Sequence, residues 1–275
     1  MKMRILVALD ESRWSAAAAT TALRLASASP KDVDLCAVHV VSVAHLSGVL
    51  LRDLAGLMGF EPVLVPEKVE AVYRTRGQAL LDRFSARCEA AGVSHSTHLD
   101  RGNTVTRLVH HANDCDLMIC GVRGEEEELD PGTGGGTLER LVRRSPISML
   151  IVSDTAPRLE RVAIGYDGSE GSQCAVKAVR HLAEVLDLEV RLMFVGEQDS
   201  LLEEPRASLE RDGITTECIV MDGEPHEALA AGAIDAGADL LVIGYRGRSW
   251  LSDVLLGRVT EFLLGKLSIA MLVAR

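Results

Sequence analysis

The sequence predicts an α/β protein built of two tandem, doubly wound, five-stranded parallel-sheet domains related by a pseudo-two-fold. Three observations carry this. Blocks recur in the same order in both halves: "RILVALDES" (4–12) returns as "RVAIGYDGS" (161–169), "DCDLMICGVRG" (114–124) as "GADLLVIGYRG" (237–247), and "SPISMLIVS" (145–153) as "LSIAMLVAR" (267–275). Repeats this long are whole folding units rather than solenoid turns. Short apolar runs alternate with helical patterns in each copy, the signature of parallel strands with right-handed crossovers. Composition agrees: 47% hydrophobic but only 3% aromatic, so small side chains let helices lie close on a sheet.

Residues 4–9, continuously apolar after Arg4, have the pattern of a strand covered on both faces. Ser12 is placed to cap a helix whose Ala and Leu residues recur at helical spacing through Ala28. A second strand covers about 33–41. After it the copies diverge: the offset between them falls from 157 at Asp10/Asp167 to 123 at Gly121/Gly244, and the loss lies between Val195 and Gly223. The first copy therefore carries a long excursion at about 44–91. In its first part Leu50, Leu51, Leu54 and Leu57 fall on one helical face. A helix near 67–91, a strand at 93–99, a helix near 104–113, a strand at 116–120, a helix near 136–144 and a last strand "ISMLIV" complete the copy. The second copy places strands near 161–166, 189–195, 214–220, 239–243 and 269–274. "DTAPRLE" (154–160) reads as the linker, giving domains at 1–154 and 158–275. The two apolar final strands are edges that invite pairing, so the halves are expected to pack together, and two chains to dimerise further.

Net charge is −11, which argues against nucleic acid as a general partner. The six cysteines show no C-x-x-C pair or framework spacing, which points to free thiols in a reducing cytoplasm. "MKMRILVALD" runs straight into core structure, so no leader is expected. "LSGVLLRDLAGLMG" (46–59) is too short to span a bilayer and carries Arg52 and Asp53. His39 within its strand reads as a packed, hydrogen-bonded histidine. His110 and His111 lack a second metal-ligand pair at usable spacing, so no metal site is expected.

Ligands of such sheets sit beyond the carboxyl ends of the strands, and both copies put glycines there. The second reads Gly244-Tyr-Arg-Gly247, nine residues, then Gly257 opening a helix at Arg258, Val259 and Thr260. The first reads Gly121-Val-Arg123-Gly124, nine residues, then Gly134, Gly135 and Gly136 before Thr137. Glycines after a strand permit close backbone approach, and a helix N-terminus offers free N–H groups to an anion.

With these motifs the chain resembles the universal stress protein family in its tandem form, over 4–153 and 161–275. The resemblance implies ATP or a related adenine nucleotide, with phosphates in the glycine loop and Mg2+ carried through them. It places Asp10 and Asp167 on the adenosine side and gives Val40 and Val195 a backbone contact to the base. Both copies depart from the family's G-x-x-G, nine, G-Ser/Thr pattern: Arg258 follows Gly257, and Gly135 follows Gly134. The second site is preferred, because Arg246, Arg248 and Arg258 surround its loop. The first pairs Arg123 with Glu125 to Glu128 and Asp130. At an effective dielectric near 20, charges 4 Å apart interact by about 4 kcal/mol, against about 0.5–1.5 kcal/mol for the lost hydroxyl. No lysine, base or nucleophile is evident beside either loop, which favours a stress sensor or regulator without rapid turnover. A slow ATPase or autokinase and a structural or small-molecule module with degenerate sites remain as alternatives.

Overall fold

The computed structural model describes residues 2–42, 64–125, 136–197, 199–245, 258–266 and 268–275. The expected helix in the first part of the excursion lies mostly outside these residues. Ten strands form one sheet: β1 (Met3–Ala8), β2 (Val33–Ser42), β3 (Ser94–Gly102), β4 (Leu117–Gly121), β5 (Ser148–Val152), β6 (Arg161–Gly165), β7 (Glu189–Val195), β8 (Thr215–Met221), β9 (Leu240–Gly244) and β10 (Ala270–Ala274). Their order is β3-β2-β1-β4-β5-β10-β9-β6-β7-β8, so each half is wound 3-2-1-4-5. Every pairing is parallel except β5 with β10, where Leu150 faces Leu272 across an antiparallel seam. The apolar final strands pair as their sequences led one to expect: they satisfy each other's edge hydrogen bonds and join the two five-stranded sheets into one.

Among the described residues, eight α-helices cover the two faces: α1 (Arg13–Ala28), α2 (Leu64–Ala90), α3 (Thr104–Ala112), α4 (Thr137–Arg144), α5 (Glu170–Ala183), α6 (Glu203–Arg211), α7 (Pro225–Asp235) and α8 (Arg258–Lys266). α1, α2, α5 and α6 pack in one core layer and α3, α4, α7 and α8 in the other. Burial on both sides explains the unbroken apolar runs of the inner strands. The outer strands β3 and β8 keep polar residues because they are edges. Helix starts follow local chemistry. Ser12 accepts from the N–H of Ser15 at 3.1 Å, Asn103 from that of Thr106 at 3.0 Å and Ser169 from that of Ser172 at 3.2 Å.

The connection between β5 and β6 joins the core rather than swinging free. Leu159 adopts φ 60° yet is only 1% exposed. A left-handed non-glycine residue costs about 1–3 kcal/mol, which burial of a leucine side chain, worth about 1.5–3 kcal/mol, offsets.

The core layer holding Leu150 and Leu272 is continuous through both halves. Leu272→Ala is therefore expected to lower stability by about 2–5 kcal/mol and to shift a single urea transition. Two resolved transitions, one of them unshifted, would show that the halves unfold independently.

Candidate functional site

At the carboxyl rim of the first half, Asp10 follows β1 and holds two loops together. One carboxylate oxygen accepts from the N–H of Ser12 at 2.9 Å, and the other from the N–H of Glu125 at 3.0 Å. Its own N–H donates to Ser15 Oγ at 2.9 Å. The loop after β4 is thus tied to the first turn of α1. Gly121 ends β4 against that turn: a Cβ there would lie 2.6 Å from Trp14 Cβ and 2.9 Å from the carbonyl oxygen of Arg123. A Cβ on Gly124 would lie 3.0 Å from Asp10 Oδ2. Trp14 is itself buried, with the guanidinium of Arg123 5.8 Å from its ring centre.

These contacts frame a cleft of about 320 Å³ at the point where the chain reverses between β1 and β4. That volume falls in the range of small-molecule sites, about 300–1,000 Å³. Val38, Val40 and Leu108 give it apolar walls, Asp10 and the loop at 121–125 form one side, and Thr137 and Arg140 stand at another. Gly136 opens α4 with φ 114° and no side-chain cap, so the helix N-terminus retains N–H groups for a ligand. Arg140 folds back over this turn, donating through Nε to the Gly136 carbonyl at 2.8 Å.

His39 lines the cleft but is packed, as expected: Nδ1 lies 2.8 Å from the Leu9 carbonyl oxygen, and Gly77 of α2 presses on the ring's other edge. Burial pushes the Cys120 thiol up to about 12, which keeps it neutral at the cleft floor. No group of metal-ligating side chains converges on this cleft among the described residues.

The second rim repeats the frame in part. Asp167 accepts from the N–H of Ser169 at 3.1 Å. Val195 ends β7, and the following Gly196 donates to the Met221 carbonyl at 2.9 Å. Gly244 ends β9 against α5 more tightly than its counterpart, since a Cβ would lie 2.0 Å from the backbone carbon of Gly171. Tyr245 donates its N–H to the Ala274 carbonyl at 2.8 Å, and the guanidinium of Arg275 lies 3.5 Å from its ring centre. Arg246, Gly247 and Gly257 lie outside the described residues, as do Gly134 and Gly135 at the first rim. Arg258 and Val259 begin α8, and Thr260 on its first turn is 5% exposed.

Of the residues expected from sequence, Asp10, Val40, Gly121, Arg123, Gly124 and Thr137 meet around the first cleft. Sequence reasoning missed Ser15, Trp14, Arg140 and Tyr73. The only signal for Arg140 was its place one helical turn after Gly136.

The sequence matches the universal stress protein family over residues 1–153 and 196–275. Among individual relatives, universal stress protein Slr1230 of Synechocystis is 27% identical over 259 residues, covering 88% of this chain and 87% of that protein. Universal stress protein Mb2028c of Mycobacterium bovis is 26% identical over 301 residues, covering 98% and 96%. Among solved structures, a universal stress protein from Archaeoglobus fulgidus superposes with a TM-score of 0.76 at 17% identity over 99% of this chain and 98% of that one. The fold is shared along the whole length.

The helix contacts rank the two strand-ending glycines. Gly244→Ala is expected to destabilise more than Gly121→Ala, because its Cβ meets rigid backbone. Overpacking of this kind typically costs about 1–3 kcal/mol, with Gly244→Ala at or above the upper end. Equal and small losses in denaturant melts of the two variants would refute the packing role.

Proposed function

The chain belongs to the universal stress protein family, and we propose that it binds an adenine nucleotide, ATP with a divalent cation carried on its phosphates, as a sensor or regulator. The observation that carries this reading is the cleft of about 320 Å³ between Asp10 and the N-terminus of α4. Its apolar walls suit a flat base. Asp10 can accept from ribose hydroxyls. The loop after Gly121 and the first turn of α4 offer backbone N–H groups for phosphate oxygens, with Arg123 and Arg140 as the cations on the lining.

Slow or absent turnover fits the lining. Phosphoryl transfer needs a placed charge, a positioned metal and an oriented nucleophile, and no lysine lies among the described lining residues. We place the protein in the reducing cytoplasm, where its six free cysteines would stay reduced, and as a homodimer of two-domain chains divided at 1–154 and 158–275. A second reading puts the working site at the other rim, favoured by Arg246, Arg248 and Arg258 in its loop.

Calorimetric titration of the full chain with MgATP tests both readings. Gly124→Val, whose side chain would press on Asp10, and Asp10→Ala should weaken binding roughly 10–100-fold, the loss expected for hydrogen bonds to a charged group. Gly247→Val and Asp167→Ala should leave that binding in place. The reverse pattern assigns the site to the second rim. No binding by the wild-type chain defeats the nucleotide reading, and steady phosphate release at saturating ATP defeats the sensor reading in favour of a slow ATPase.

A further inference from the structure

A second group of reactive side chains lies away from the cleft, beneath α3 at the edge strand β3. Parallel register sets Val38 beside His98 and Cys36 beside Ser96. Helix α3 crosses the same face and brings His111, and Cys115 follows in the next turn. The ligand atoms of Cys36, His98 and His111 all lie within 4.8 Å of one another. None of the three lines the nucleotide cleft.

Two further features point into the cluster. Nε2 of His98 is shielded from solvent and has no hydrogen-bond partner among the described residues, a costly condition when nothing satisfies the atom. Asp100 Oδ2 lies 3.2 Å from His111 Nε2 and holds that ring, as carboxylates do for metal-bound histidines. Arg4, whose charge acts on Cys36, pairs with Asp34 at 3.6 Å.

We propose that Cys36, His98 and His111 form a binding site for a borderline-soft divalent cation of the zinc class. One sulfur and two imidazole nitrogens are the donor set such ions prefer, whereas Mg2+ and Ca2+ require oxygen. With bonds of about 2.0–2.3 Å, a tetrahedral ion holds its ligand atoms about 3.3–3.6 Å apart. The cluster must therefore contract by about 1 Å, within the reach of side-chain rotation. The fourth position is left to water or to Cys115. His111 keeps 17% of its side chain exposed, which gives the ion a path inward.

The full chain, reduced and freed of metal by chelation, is titrated with Co2+. Visible d–d bands and a thiolate-to-cobalt charge-transfer band should grow to saturation with a single ion per chain, and Zn2+ should bleach them. Cys36→Ser, a near-isosteric change, should abolish the charge-transfer band. His98→Ala and His111→Ala should weaken binding by at least about 100-fold, and Asp100→Asn by about 10–100-fold. His110→Ala, altering an exposed neighbour on the same helix, should bind like the wild type. Zn2+ should raise the melting temperature of the wild type and not of Cys36→Ser. No charge-transfer band, one that survives Cys36→Ser, or one lost in His110→Ala would overturn the site. MgATP affinity is read separately, so failure here leaves the nucleotide reading untouched.

Discussion

The contact on which the rest of each half depends is the approach of its first helix to the glycine that ends its fourth strand. At Gly121 the neighbour is the Trp14 backbone and Cβ, and at Gly244 it is the backbone of Gly171. No side chain fits between them, so helix and strand end meet almost backbone to backbone. That closeness brings the turn after β1 within reach of the loop after β4. Only then can one aspartate, Asp10, accept N–H donors from both. The cleft is the space left when these two loops are tied and the next strands splay around the reversal point.

The same closeness changes what the glycine motif means. A G-x-x-G after a strand reads as a phosphate cradle, but the first glycine of each motif already has a structural reason to be glycine. The second is different. A Cβ on Gly124 would lie 3.0 Å from the Asp10 carboxylate, so a side chain there would disturb the clasp rather than the core. Packing and binding thus share one short motif, with the burden divided between its two ends.

Much of the fold was legible because its cause is local or repeated. Strands covered on both faces must be apolar through their middle, and "ILVAL" and "LMIC" show it. Ser12 and Asn103 cap the helices that follow them, and the internal repeat fixes the order of parts. The joining of the two sheets was legible too: the apolarity of "ISMLIV" and "IAMLVA" signals edges that pair, though not that the pairing is antiparallel. The cleft lining was partly hidden, since Ser15 looks like an ordinary residue of an alanine-rich helix. Cys36, His98 and His111 could not have been linked from spacing. Ligand-pair patterns are read within one helix or loop, and these three sit on two strands and a helix.

Because the seam between β5 and β10 is antiparallel, the strands of the two halves run in opposite directions, and their carboxyl ends open on opposite edges of the sheet. Ligands held at the two rims would face away from each other, on opposite sides along the strand direction. Communication between the rims would have to pass through the seam itself, where Leu150 and Leu272 meet. Each chain is in this sense a two-headed object whose heads share a spine but not a view.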